Sequence, residues 1–171
     1  IAEATELPIV LYNVPGRTGC NLLPATIGRL SRELPNIVGI KEATGNLAQA
    51  SDVLENCPPA FQVLSGDDFT VLPLLSLGGS GVISVTSNVA PAKMAALYNA
   101  FKTGDMATAR RLHFELAPLN RAMFLETNPI PVKTAVAMMG LMDLEFRLPL
   151  CPLADANLEK LRAALREGGL L

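Results

Sequence analysis

The run Ile37-Val38-Gly39-Ile40-Lys41 decides the reading of this chain. Its apolar residues follow one another without alternation and end on a lysine, the pattern of a strand buried on both faces of a parallel sheet. Three other segments have the same form: Ile9-Val10-Leu11-Tyr12, Phe61-Gln62-Val63-Leu64-Ser65 and Gly81-Val82-Ile83-Ser84-Val85. Helical stretches lie between them. Leu23 to Leu34 sets Ile27, Leu30 and Leu34 on one stripe, Leu47 to Glu55 does so with Leu47, Ala50 and Leu54, and Phe69 to Leu77 forms a third. Pro91 to Phe101 opens with proline at a first-turn position, where its missing N–H costs nothing. Four strands alternating with four helices predict a parallel sheet with right-handed crossovers.

After Thr103 helix follows helix. Asp105 to Phe124, with Pro118 as an expected bend, precedes Pro131 to Met139 and Asp155 to Arg166, with breaks at Asn128-Pro129 and Pro149 to Pro152. The expected fold is α/β, with four parallel βα units over residues 1–103 and a helical appendage over 104–171. Such a sheet fits a small doubly wound domain or half of a (β/α)8 TIM barrel, whose full form needs roughly 250 residues. The opening Ile1-Ala2-Glu3-Ala4 lacks an initiator Met and reads like the last turn of a helix, which favours the half barrel.

Composition narrows the function. The 171 residues carry 14 Lys+Arg against 16 Asp+Glu, a net charge of −2, and half of them are hydrophobic. That apolar share supports a packed core and argues against disorder. The near-neutral charge leaves no electrostatic footprint for nucleic acid, and the absence of Trp removes stacking platforms for bases. Apolar runs such as Val71 to Leu77 fall far below the ~20 residues of a membrane span, and no secretory leader is read. Cys20, Cys57 and Cys151 are odd in number and scattered, as in a reduced, cytoplasmic protein.

Lys41 is the most informative residue. It ends its strand at the carboxyl end, which faces the active site in barrels. Partial desolvation there disfavours the ammonium, and a neutral amine attacks carbonyls to form a Schiff base. The alternative is a strand-end lysine that snorkels to solvent or pairs with Glu42, although strand alternation points Glu42 to the other face. Tyr12 ends the first strand equivalently. It is either a proton donor and acceptor beside a reacting amine or an interior tyrosine with a satisfied hydroxyl. Arg17 lies in the Pro15-Gly16-Arg17-Thr18-Gly19 loop, where a guanidinium suits a carboxylate, or it is an exposed arginine without a task. Gly78-Gly79-Ser80-Gly81 precedes a strand and reads as a tight helix-to-strand connection, not a phosphate cradle. Ser65-Gly66-Asp67-Asp68 follows a strand, where an aspartate caps the next helix or, alternatively, lines the pocket. His113, the only histidine, is read as a surface or packing residue, and no spacing supports a metal site or a nucleophile-elbow serine.

Taken together, Leu11 to Gly19, Val38 to Asn46, Leu64 to Asp68, Gly78 to Val85 and Asn128 to Lys133 closely resemble the dihydrodipicolinate synthase family. They cover essentially the whole chain in the family's order, and the match corresponds to the second half of that enzyme: barrel strands five to eight and the C-terminal helices. The resemblance implies that Lys41 forms an imine with pyruvate, that Tyr12 relays protons, that Arg17 binds the carboxylate of aspartate semialdehyde, and that the backbone of Ile83 lies against the bound pyruvate. It implies no catalytic role for Asn128 to Val132 and no metal or organic cofactor. Relatives that share the lysine and tyrosine include sialic acid and sugar-acid lyases, and Arg17 favours the synthase over them. The family's threonine pair, a second tyrosine that crosses the dimer interface and the lysine-feedback site belong to its N-terminal half. Small-molecule substrates and a homo-oligomer, in the family a tetramer, are therefore the expected partners. A catalytically incomplete half-barrel module and a doubly wound nucleotide-binding domain are the competing readings, the latter without a GxGxxG.

Overall fold

The computed structural model describes residues 1–171. Contacts divide the chain into two compact units, Ile1–Ser84 and Val85–Leu171. The change of pattern in the sequence lies after Thr103, so the helix from Pro91 to Lys102 is the element on which the two divisions differ.

The first unit contains β1 (Ile9–Asn13), α1 (Pro15–Thr18), α2 (Pro24–Glu33), β2 (Ile37–Glu42), α3 (Leu47–Asn56), β3 (Gln62–Ser65), α4 (Val71–Leu77) and β4 (Gly81–Val82). The strands form one parallel sheet in the order β1-β2-β3-β4. Ile27 of α2, Ala50 and Val53 of α3 and Leu74 of α4 pack with Ile37, Ile40 and Val63 into its core. Leu11, Ile40 and Val63 stand opposite one another across β1, β2 and β3, so one register row supplies the sheet's share of that core.

The opposite sheet face corrects the expectation of strands buried on both sides. Val10 and Tyr12, on that face, are 44% and 51% exposed. The packed helices meet the face of Leu11 and Ile40, and successive side chains on a strand point to opposite faces. The apolar run therefore records two faces, of which this chain covers one. The β1–β2 register shifts between Ile9 and Val10, with Ile9 opposite Ile37 and Val10 opposite Gly39.

The fourth strand is also shorter than the Gly81 to Val85 run predicts. The Ile83 N–H still donates to Ser65 O at 2.8 Å, but Val85 adopts helical backbone angles and leads into a 3-10 turn at Thr86–Asn88. Before β4, Gly78 takes the left-handed conformation at φ 108°, and a Cβ on Gly79 would stand 2.6 Å from Leu74 Cγ. The glycine-rich segment is thus the helix-to-strand connection expected for it.

Helix α3 begins on a side-chain cap: Asn46 Oδ1 accepts from Ala48 N at 3.0 Å and Gln49 N at 3.2 Å. Asn46→Ala leaves those donors to solvent and is expected to destabilise the unit by about 1 kcal/mol, measured as a lower urea midpoint. An unchanged midpoint would show that the cap adds nothing.

The second unit is helical: α5 (Pro91–Lys102), α6 (Met106–Ala122), α7 (Ile130–Met138) and α8 (Asp155–Glu167). Leu97, Leu112, Leu116, Leu119, Met123, Leu161 and Leu165 are buried in it, and Thr86 Oγ1 donates to Asn120 Oδ1 at 2.7 Å in its interior. Pro118 lies inside α6, so the carbonyl of Phe114 lacks its helical donor. The Asn128 to Val132 segment leads into α7. No helix is long and apolar enough to cross a membrane.

Candidate active site

Parallel pairing brings two of the four candidate residues together. Tyr12 of β1 stands directly opposite Lys41 of β2 at the carboxyl ends of both strands. Lys41 Nζ lies 4.2 Å from the centroid of the Tyr12 ring, a cation–π geometry. Lys41 is half-buried, and Tyr12 belongs to the uncovered face. The lysine is therefore held on its own strand, with its amine still reachable from that face.

A glycine flanks the lysine stem. A Cβ built on Gly66 would meet Lys41 Cγ and Cε at 3.0 Å and Ala43 Cβ at 2.7 Å. Gly66 follows β3, and its N–H donates to Glu42 O at 2.7 Å, which presses its backbone against the β2 end. The side chain of Lys41 thus runs past bare backbone on one side while its amine caps an aromatic ring.

Glu42 does not pair with Lys41. It is 4% exposed, and its carboxylate accepts from Asn13 Nδ2 at 3.1 Å, Thr44 N at 2.8 Å and Gln49 Nε2 at 3.4 Å. Alternation thus separates the two neighbours, and the reading of Lys41 as one half of an ion pair with Glu42 falls. Sequence reasoning placed Glu42 on the far face but missed Asn13, Asn21, Gln49 and Gly66. The available signal was the register: Asn13 occupies the same parity on β1 as Glu42 does on β2.

Arg17 and Ile83 stand at the same end of the sheet but at its opposite edges. Arg17 is exposed on α1, a single turn that directly follows β1 where a loop was expected. Ile83 follows β4 and is 44% exposed, with its N–H engaged by Ser65 O. Asp67 caps the 3-10 turn Asp68–Thr70 by accepting from Phe69 N at 3.0 Å, as its position after a strand suggests. His113 packs edge-on against Phe114 in α6. Of the thiols, Cys20 and Cys151 are exposed, whereas burial pushes that of Cys57 up, against its acting as a nucleophile.

The structure thus sets a lysine amine over a tyrosine ring at the carboxyl ends of two paired parallel strands. The model of the dihydrodipicolinate synthetase family matches residues 1–168. The chain belongs to that family. It is 66% identical over its whole length to the 4-hydroxy-tetrahydrodipicolinate synthase of Nitratidesulfovibrio vulgaris (strain DP4), of which it spans 59%. Among solved structures, dihydrodipicolinate synthase from Thermotoga maritima superposes with a TM-score of 0.97 at 47% identity, over 100% of this chain and 59% of that one. The chloride-inhibited dihydrodipicolinate synthase from Acinetobacter baumannii, described as complexed with pyruvate, gives 0.95 at 46% identity over 99% and 58%. The chain therefore spans about three fifths of the length of these synthases.

Proposed function

We propose that this dihydrodipicolinate synthetase family member is the second half of a (β/α)8 barrel and carries the imine chemistry of 4-hydroxy-tetrahydrodipicolinate synthesis. The observation that supports it is the Lys41 amine, 4.2 Å from the Tyr12 ring at the carboxyl ends of paired parallel strands.

In this reading the Lys41 amine, after giving up its proton, attacks the ketone carbon of pyruvate. The carbinolamine loses water to give the imine, and loss of a methyl proton gives the enamine. The enamine carbon bonds to the aldehyde carbon of aspartate 4-semialdehyde, whose oxygen takes up a proton. The substrate's own amine then displaces Lys41 by transimination, which closes the ring and frees the lysine. Tyr12 passes protons in these steps, Arg17 holds the semialdehyde carboxylate as a planar fork, and the Ile83 backbone lies along the pyruvate. The protonated imine formed on Lys41 is the electron sink for loss of the methyl proton, so the sequence of steps draws on no metal or organic cofactor. Sialic acid and sugar-acid lyases would share the imine but need hydrogen-bonding groups for a polyhydroxylated substrate, where this chain carries Arg17.

A second reading, an association module without activity of its own, is favoured by the uncovered face of Val10 and Tyr12. Strands β1 and β4 also stand at the two edges of the sheet. Apolar faces and unpaired edges call for a cover. In this reading a complementary half, another copy or another polypeptide, supplies it, within the homo-tetramer expected of the family.

Borohydride trapping with pyruvate separates the readings. The first expects an adduct on Lys41, found by intact mass and peptide mapping of the folded chain. No adduct on a folded chain would leave the association module.

A further inference from the structure

We infer that the cluster formed by buried Asn13, Glu42 and Gln49 with Asn21 at its exposed rim is a positioning device that holds Lys41 over Tyr12; the inference rests on the imine reading for its catalytic meaning. The cluster sits one register step beyond the Tyr12–Lys41 pair, because Asn13 stands opposite Glu42. It lies on the other sheet face, so it touches neither the lysine amine nor anything bound there. Its bonds connect β1, the segment after α1, β2 and α3. Asn13 Nδ2 donates to Glu42 Oε2 at 3.1 Å and to Asn21 Oδ1 at 2.9 Å, while Leu22 N donates to Asn13 Oδ1 at 3.0 Å. Asn21 and Gln49 exchange two amide bonds, at 2.8 and 3.0 Å.

The polarity of the cluster is closed. Leu22 N fixes which end of the Asn13 amide is oxygen, so its nitrogen must face Glu42. Thr44 N claims one Glu42 oxygen, while Asn13 and Gln49 claim the other. Every donor is uncharged, and Asn13 and Glu42 are 2% and 4% exposed. An amide at position 42 satisfies one side or the other, never both, because its NH2 would face either the Thr44 N–H or two other amide donors. A group left unpaired at such burial is costly, so the β1 and β2 ends would shift to relieve it. Tyr12 and Lys41, the immediate neighbours of the cluster on those strands, would move with them.

The exchanged pair gives the decisive variant. In N13D/E42Q the carboxylate moves to β1 and the amide to β2. The introduced carboxylate still accepts from Leu22 N and accepts the new amide nitrogen, whose oxygen accepts from Thr44 N. Concerted flips of the Asn21 and Gln49 amides satisfy the remaining side-chain bonds, and the exchange loses only the 3.4 Å bond from Asn13 Nδ2 to Leu22 O. A device made of these bonds is restored by the exchange, whereas a requirement for a carboxylate at residue 42 itself is not.

The experiment uses the full chain with lysine carbon-labelled for NMR. The ring current of Tyr12 shifts the Lys41 ε-methylene signal upfield, assigned by its absence in K41R, and this readout needs no pyruvate. E42Q is expected to lose the upfield shift and to slow pyruvate trapping by about tenfold to a hundredfold, with circular dichroism unchanged. N13D/E42Q is expected to regain the upfield shift and to trap within about threefold of the original rate, a residue of imperfect repacking. A folded E42Q that keeps the shift, or a folded double variant that fails to regain it, overturns the inference. Should E42Q not fold, Asn21→Ala at an exposed position removes the acceptor shared by Asn13 and Gln49, and retention of the full shift there overturns it equally. If the original chain traps no pyruvate while the shift follows this pattern, the imine reading fails and the positioning device stands.

Discussion

Lys41→Arg is expected to abolish the pyruvate adduct while leaving the fold unchanged. The guanidinium stays protonated under any condition the fold survives, so it offers no neutral amine to attack a ketone. It does preserve a cation over the Tyr12 ring, now 4.2 Å from Lys41 Nζ. Arginine's longer stem remains on the uncovered face, where no core residue is displaced. The urea midpoint should therefore correspond to a stability within about 0.5 kcal/mol of the original chain. Trapping and peptide mapping read the chemical half of this expectation, and the urea titration reads the structural half. An adduct that persists in K41R would place the reactive amine elsewhere, and the lysine reading would be lost.

Gly66→Ala should damage the same site by a steric route. The added Cβ would stand 2.7 Å from Ala43 Cβ and 3.0 Å from Lys41 Cγ and Cε. The lysine stem can swing aside, but Ala43 has no torsion to spare and its backbone must move. That movement strains the 2.7 Å bond from Gly66 N to Glu42 O, which holds the β2 and β3 ends together. Two consequences are expected: a loss of about 1–3 kcal/mol from overpacking, and trapping slowed by about tenfold to a hundredfold from a displaced amine. Trapping measured well below the urea midpoint separates the two. A folded G66A that traps at the original rate would show that Gly66 does not hold the lysine.

The sequence carried the parts of the site that depend on local order. Unbroken apolar runs marked the strands, parallel pairing followed from their alternation with helices, and the terminal positions of Tyr12 and Lys41 brought them together. What escaped was the part set by remote packing. The runs at Ile9 and Ile37 cannot tell which face a helix covers, so Val10 and Tyr12 were expected to be buried and are not. The end of β4 depends on the helical backbone of Val85, which no apolar count records. Asn13, Asn21 and Gln49 read singly as turn or surface residues, because their hydrogen bonds span up to 29 positions of the chain. Gly66 leaves no local signal, because what matters there is the missing side chain where Lys41 passes.

The register shift near Val38 acts as a phase corrector for everything downstream on β2. Residues three apart on a regular strand face opposite ways, yet Ile37 and Ile40 both pack into the core. One supernumerary residue absorbs the mismatch, with Ile9 opposite Ile37 but Val10 opposite Gly39. Lys41 and Glu42 inherit their assignments from that correction: the amine to the open side, the carboxylate to the interior. A single-residue deletion there would remove the bulge and leave a regular ladder, with Ile9 still opposite Ile37, Val10 opposite Gly39, and Lys41 and Glu42 on their present faces. A single-residue insertion has no such outlet: added beyond the bulge, between Gly39 and Lys41, it would turn the amine to the interior and the carboxylate outward, although no side chain of this stretch takes part in chemistry.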